Sequence, residues 1–523
     1  MEKRWLSHLE GCLPTEARGY PVSMYSIALE GWRRGLSVKF ENNNRVRSVI
    51  RYSLSDGVKT HYFMGSRGDL VTKEAMRITG DKSLTKKYLA EAGVMIAQGQ
   101  VFDENVDDDT IIDYAVELGF PVVIKPISAA GGRGVIANIK DKDGFLEAVK
   151  YVRNDLNYKE VIVEKHVDGL DYRVYVVGNK VIGAINRIPA NVMGDGKKTI
   201  NQLLQEKNKE KKKNPALTDS PIKKDDEMMS LLKEQGYTLD SVPPKGKRVY
   251  LKSKSNISAG GEPIDATDQL TEEVKKNAIK AVNAIPGLAQ SGVDILWDSA
   301  TNDMAVIELN NIPSIRTHLF PLEGQARDVP KAIVDHYFPN SEANHRSPLY
   351  YFDIGDIFRG FTNNELKEVA IPNHPKGELI SKHLVVSNVK NRALFMKKNF
   401  KLAKSLLLNG FINSLNKNKV EILVSGQIDK VNNYIDTITA SKTVKVKESN
   451  WDKPVKLGFE RLKKESSKTS SKKKSISSSS DIEILRKEFK RLEKERDFYK
   501  KKYHSVSNSK VWRLANVLRK IKS

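Results

Sequence analysis

FPVVIKPISAAGGRGV, residues 120–135, is the stretch from which the rest of the chain can be read. Val122, Val123 and Ile124 form a β-branched run that predicts a buried strand, and Pro126 forbids further pairing just beyond Lys125. The lysine is therefore delivered to a fixed strand end. Ser128, Ala129, Ala130, Gly131, Gly132 and Gly134 follow as a loop of small residues whose backbone N–H groups can turn toward phosphate oxygens, with Arg133 as an added cation. The run is neither GxxxxGK[ST] nor GxGxxG, which disfavours a Walker loop and a Rossmann fingerprint.

Upstream, residues 70–92 predict a mostly helical segment ending at Gly93, with Lys82 and Lys86 one turn apart. Taken alone, that pair fits a solvated face. Residues 103–118 predict an amphipathic helix, and residues 1–69 a small α/β unit with a helix at 22–35 and strands at 36–40, 46–54 and 60–64, Tyr25 and Trp32 belonging to its core. Downstream, a helix is expected at 144–152. In VIVEKHVDGLDYRVYVVGNKVIGAINR, residues 161–187, three strands are separated by turns. Glu164 at the end of the first can accept from an exocyclic amine, the backbone at 165–167 through Val167 can pair with a ring edge, and Asp171 can take ribose hydroxyls. Each carboxylate alone also fits an ordinary surface.

Residues 201–246 are lysine-rich and polar and predict a flexible insertion. Their KNKEKKK run is mixed with glutamate and interleaves no aromatic residue, so nucleic acid is disfavoured as a partner. A small-residue loop, SNISAGGEPID at 255–265, precedes a helix at 271–285 and two strands, GVDILW at 292–297 and MAVIELN at 304–310. Asp294, Glu308 and Asn310 can converge on one face of the paired strands. Two carboxylates and an amide oxygen make a hard-cation site of the kind that holds magnesium against a triphosphate.

The chain has 523 residues, 39% of them hydrophobic, which is enough for several cores and for tails as well. Its net charge of +23 favours anionic partners without choosing among them. A single cysteine, Cys12, excludes a disulfide framework and a multi-cysteine zinc site and suits a reducing cytoplasm. No secretory segment or apolar run long enough to span a bilayer is evident, so a soluble or peripheral protein is expected.

With GDKSLTKKYLAEAGV, VVIKPISAAGGRGV, VEKHVDGLDYRVYVVG, NISAGGEPIDAT, GVDI and ELNNIPSIRTHLFPLEG in this order, residues 70–339 resemble the ATP-grasp superfamily, in particular its cyanophycin synthetase and bifunctional glutathione synthetase branch. The resemblance implies an α+β fold of two subdomains gripping ATP, with Lys82 and Lys125 on the phosphates and the loop of Ser128, Gly131, Gly132 and Gly134 closing over them. It places Glu164, Val167 and Asp171 around adenine and ribose, and magnesium, with manganese as an alternative, on Asp294, Glu308 and Asn310. Arg187, Arg316, Asn256 and Ser258 would face the acceptor and the transferred phosphoryl. Where some relatives carry an arginine two positions before Asp294, this chain has Gly292, and Arg316 is the candidate to replace it. The implied reaction is carboxylate–amine ligation through an acyl phosphate, on small-molecule or peptide acids and amines.

Residues 340–380 carry little signal and are expected to connect. Residues 381–463 predict βαββαβ, a ferredoxin-like sandwich, and GFINSLNKNKVEILVSGQIDKVNNYID resembles the acylphosphatase family. The family's phosphate-binding arginine falls on Met396 and its water-orienting asparagine on Ser414, with Arg392 and Asn413 as neighbouring substitutes. A binding or packing role is expected rather than hydrolysis. Residues 464–480 form a Ser/Lys linker. Residues 481–523 read as a coiled coil, implying a homo-oligomer or a partner helix, followed by a basic amphipathic tail suited to an anionic membrane surface. An ATP-dependent ligase of cell-envelope or capsular polymer modification is the leading expectation. A non-catalytic nucleotide-binding scaffold and an acylphosphatase are the alternatives.

Overall fold

The computed structural model describes residues 5–42, 50–128, 133–341, 349–363, 365–441 and 443–462. All belong to the first of two compact units, Met1–Leu462; the second is Lys463–Ser523. The opening of the 46–54 strand, Ala129, Ala130, Gly131, Gly132, the linker and the coil with its tail lie outside the described residues.

Alternating polar and apolar residues build two sheets that share a cleft. The central sheet runs in the order Glu262–Asp265, Lys180–Ile188, Leu170–Val177, Gln290–Trp297, Met304–Asn310. One face buries Tyr172, Val174, Val176, Val293 and Ile295 with Val274, Ala278 and Val282 of the helix Glu272–Asn283. Period-two alternation then puts Asp171, Arg173, Gly292 and Asp294 on the other face. The second sheet, Gly99–Phe102, Val161–Lys165, Val122–Pro126, Ile136–Ile139, buries Val122, Ile124, Val161 and Val163 under the helices Asp108–Leu118 and Lys142–Lys150. Lys125 and Glu164 fall on its opposite side. The run 94–98 stitches the sheets together: the Val306 amide donates to the Met95 carbonyl and the Lys165 amide to the Gln98 carbonyl, both at 2.8 Å.

Residues 70–92 form two helices. The first, Lys73–Gly80, stops at its glycine, and the Asp81 side chain then accepts from the Leu84 amide at 2.9 Å to start Lys82–Glu91. This cap fixes Lys82 at the first position of its helix.

Three expectations about organisation need correction or completion. Residues 1–69 do not stand alone, because Glu368–Ile371 pairs antiparallel with Ser37–Asn42 and closes their sheet. The helix Val22–Arg33 is buried among Phe352, Phe361 and the helix Val329–Tyr337, with Tyr25 and Trp32 in that core as expected. Residues 350–371, as far as they are described, are therefore part of this layer. Residues 201–246 are folded rather than flexible: Thr199 and Gln202 make a capping box at the start of Ile200–Lys213, and Leu204, Ile222, Met228 and Leu232 bury against Val192, Val249 and Leu251. Composition hides this because lysines turn inward. Lys207 pairs with Glu262, and buried Lys211 donates to the carbonyls of Gly260 at 2.7 Å and Gly261 at 3.0 Å.

The ferredoxin-like order holds. Its sheet runs Lys445–Asn450, Leu379–Ser387, Val420–Gln427, Asn409–Ser414, extended by Phe459–Arg461, with the helices Arg392–Ser405 and Ile428–Thr439 packed on one face.

Candidate active site

The cleft between the two sheets is narrow, with a volume of about 30 Å³, and is lined by Lys82, Lys86, Lys125, Glu164, Glu308 and neighbouring apolar side chains. Strand pairing explains the meeting of Lys125 and Glu164, whose strands are neighbours in one sheet. The Glu164 carboxylate accepts from Lys125 Nζ at 2.5 Å and from Lys86 Nζ at 2.8 Å. Burial opposes the Glu164 charge, yet the two ammonium groups hold its carboxyl below the ordinary range. Lys82 Nζ donates to the Pro126 carbonyl at 3.3 Å, and burial lowers its pKa, with Glu308 opposing and Lys125 reinforcing that shift.

Lys125 and Lys86 thus share one buried carboxylate on this wall, with Lys82 beside them. Such an excess of positive charge favours a polyanion. Glu164, expected to await an exocyclic amine, serves here as the counter-ion of Lys125 and Lys86. Lys86, read from the sequence as solvated, is a site residue; its spacing of one turn from Lys82 was the available signal.

On the central sheet, Asp294 lies in register with Glu308 on one side and Arg173 on the other. Arg173 grips Asp294 through Nε and, at 2.9 Å, through Nη2, while Arg187 reaches the same carboxylate at 3.1 Å. Arg187 also donates to Asp171 from Nε at 3.1 Å and Nη2 at 2.5 Å, and Asp171 accepts from Ser255 Oγ. Asp171 is therefore held within an ion-pair chain rather than standing free for a ribose. Burial opposes the Arg187 charge, but Asp294 and Asp171 raise its pKa above the ordinary arginine value.

Arg316 does not fill the gap at Gly292. Its guanidinium donates to Asp219 Oδ1 at 2.6 Å and Ser220 Oγ at 3.2 Å and lies 4.5 Å from the centroid of the Tyr20 ring, so it fastens the insertion to the N-terminal layer. Arg173 takes the position instead: a Cβ on Gly292 would come within 2.8 Å of Arg173 Cδ. Glycine makes room for an arginine from the adjacent strand. Asn256 opens the short turn Ile257–Ala259, Ser258 is exposed, and Ser255 reaches the ion-pair chain. In the 165–167 run the amides of Lys165 and His166 are engaged by the Gln98 and Pro121 carbonyls. Ser128 is exposed at the mouth of the small-residue loop, and Gly134 has a left-handed φ of 70° with Pro126 packed where a Cβ would stand.

A divalent cation beside Glu308 would relieve an electrostatic conflict there. Burial and the Asp294 charge hold the Glu308 carboxyl above the ordinary range, the condition that a cation between them relieves. Asn310 Nδ2 is buried without a hydrogen-bond partner. No group of three or more His, Cys, Asp or Glu side chains able to hold a metal occurs among the described residues. Of the oxygen donors read from the sequence, Glu308 and Asn310 lie on one strand, and Asp294 is engaged by two arginines.

Residues 79–209 match the RimK-like ATP-grasp domain, and residues 386–460 match the acylphosphatase domain. The chain carries an ATP-grasp domain. Over 279 residues it is 35% identical to the cyanophycin synthetase of Trichormus variabilis, covering 51% of this chain and 30% of that relative. Over 331 residues it is 31% identical to the glutathione biosynthesis bifunctional protein GshAB of Clostridium perfringens, covering 61% and 41%. The chain thus spans less than half the length of these relatives. Among solved structures, the bifunctional glutathione synthetase from Pasteurella multocida is 28% identical over 58% of this chain and 42% of that one, with a TM-score of 0.46. Lys82, Lys125, Glu164, Asp171 and Arg187 lie within the span matched to the ATP-grasp domain. Asp294, Glu308 and Asn310 lie beyond it.

In the acylphosphatase domain, Met396 is buried in the core and Ser414 Oγ is buried without a partner. Arg392 Nη1 donates to the Asn416 carbonyl at 2.7 Å and Asn413 Nδ2 to Glu421 at 3.1 Å. Both substitutes weighed from the sequence are engaged by the fold. No described helix is long and apolar enough to cross a membrane.

Proposed function

We propose that this protein is an ATP- and magnesium-dependent carboxylate–amine ligase acting through an acyl phosphate. The observation that carries this reading is the presence of Lys82, Lys125 and Glu308 in one cleft between two sheets, with Asp294 the register partner of Glu308. Lys82 and Lys125 bind the phosphates, and Glu164 yields part of its hold on Lys125 to them. The 128–134 loop covers the phosphates and excludes water, while Val167 borders the nucleoside and Asp171 steadies Arg187 beside it. Glu308, Asn310 and Asp294 would hold magnesium, or manganese in its place, which supplies charge neutralisation on the phosphoryl group.

Arg173 and Arg187 present fixed cations where the acid and the transferred phosphoryl meet. A substrate carboxylate oxygen forms a bond to the γ-phosphorus as the bond to the β-phosphate oxygen breaks, releasing ADP. The amine then attacks the acyl carbon, expels inorganic phosphate and loses its proton to solvent. Exclusion of water protects the acyl phosphate in between. The substrates are small-molecule or peptide acids and amines, consistent with the names of the relatives. The linker, coil and basic tail read in 464–523 support an oligomer at the inner membrane face, in cell-envelope or capsular polymer modification. Removing residues 481–523 should then lower the mass seen by light scattering and the binding to anionic vesicles.

The direct test is ADP release during a screen of amino acids and short peptides. Lys125→Ala should abolish release while the circular dichroism spectrum is kept. Full release by this variant with the true substrates sinks the ligase reading.

A further inference from the structure

A second opening lies far along the chain from the lysine cleft, where residues 372–376 pass the ferredoxin-like sheet. It is an open groove of about 560 Å³ with Leu408, Leu457 and Phe459 in its walls and Lys376, Lys404 and Lys430 around it. The groove sits at the end of the sheet where Leu379 pairs with Gln427, opposite to the 388–391 loop that follows Ser387. It is therefore separate from the place where an acylphosphatase would hold phosphate.

Two independent features mark this groove as a binding surface. The first is charge. No acidic residue lines it, and none of its three lysines forms an ion pair with a described carboxylate; Lys404 Nζ lies 5.0 Å from the centroid of the Phe400 ring instead. The second is backbone. The Arg392–Ser405 helix ends in a Schellman turn, with the Leu408 amide donating to the Ala403 carbonyl at 2.9 Å and the Leu407 amide to the Lys404 carbonyl at 3.1 Å. The residue after the cap must be left-handed, a position for which glycine is suited. This chain puts Leu407 there, at φ 56° and 78% exposed. A leucine gains no packing in the fold from such a position and bears the left-handed strain. It does present an apolar side chain at the lip of a cationic groove.

We propose that this groove binds an acidic peptide in extended form, its carboxylates meeting Lys376, Lys404 and Lys430 and its apolar side chains resting on Leu407 and Leu457. The open shape favours an extended chain over a compact ligand. Lysines without an arginine fork suit single carboxylates better than bidentate phosphate recognition. Phe459 is buried at 7% exposure and offers no ring face on which a nucleobase could stack.

The test uses the full chain and a fluorescein-labelled hexapeptide alternating glutamate and leucine, followed by anisotropy at low ionic strength. Saturable binding is expected, weakened about tenfold or more by the double variant Lys404→Glu/Lys430→Glu. Leu407→Gly supplies a readout that a structural role would not give: its melting temperature should equal or exceed that of the parent, while peptide affinity falls by about threefold or more. ADP release should be unchanged in all these variants, which separates this site from the ligase reading. Equal affinity in the charge-reversed protein overturns the proposal. So does hexaglutamate binding as tightly as the mixed peptide, or charge reversal that abolishes binding of polyphosphate or phosphatidylglycerol vesicles but not of peptide.

Discussion

Replacing Glu164 by glutamine removes the only described carboxylate paired with Lys125 and Lys86. In the parent, two charge-assisted hydrogen bonds of 2.5 and 2.8 Å join this 7%-exposed residue to the two ammonium groups. Bonds to charged groups contribute about 1.5–3 kcal/mol each. Glutamine keeps one acceptor oxygen and is easier to desolvate, so the net loss in the nucleotide-free protein should be about 3 kcal/mol. The pH dependence has a definite sign. Because the lysines hold the Glu164 carboxyl below its ordinary range in the folded state, its stabilisation is fully present above the unfolded-state value of about 4.3 and is lost as pH falls through the folded-state value. Urea unfolding at neutral pH should show the full difference between parent and Glu164→Gln, and unfolding below pH ~4 a smaller one. A non-hydrolysable ATP analogue supplies the missing counter-charge, so it should stabilise the variant more than the parent. A variant within about 1 kcal/mol of the parent at neutral pH, or a difference that does not narrow in acid, would refute the counter-ion role assigned to Glu164.

Glu308→Gln should melt higher than the parent in EDTA at neutral pH, because burial and Asp294 raise the Glu308 pKa and the ionised group contributes repulsion once pH has risen through that value. Magnesium should raise the melting temperature of the parent and not of the variant, measured by scanning fluorimetry. Gly292→Ala places a Cβ 2.7 Å from Pro313 Cβ and 2.8 Å from Arg173 Cδ. It should cost about 1–3 kcal/mol in urea unfolding and lower kcat. Arg316→Lys breaks the fork to Asp219 and Ser220, and should lower stability by about 1–2 kcal/mol while kcat per folded molecule is retained.

Much of the fold was legible in the sequence because its strands follow local rules. The β-branched run before Lys125, the alternation in 304–310 and the βαββαβ order of the C-terminal domain each announce their own geometry. What stayed hidden depends on partners distant in sequence. Arg173 looks like any polar residue on a strand until the register sets it opposite Asp294 and over Gly292. Lys207 and Lys211 sit in a run that reads as solvated, and Asn191, Glu262 and the carbonyls of Gly260 and Gly261 turn them inward. The strand Glu368–Ile371 is four residues long and mostly exposed, too short for periodicity to show, and it is defined by its antiparallel partner. Arg316 was misassigned for a related reason: an arginine beside a candidate site gives no hint that an aspartate nearly a hundred positions away already holds it.

The amide bonds at Met95 and Gln98 have a mechanical consequence. The 94–98 run, bonded to Val306 of one sheet and Lys165 of the other, and the 166–169 connection between Lys165 and Leu170 lie together where the two sheets join. Any rotation of one sheet against the other would pivot on that join and would part Lys82 Nζ from the Pro126 carbonyl.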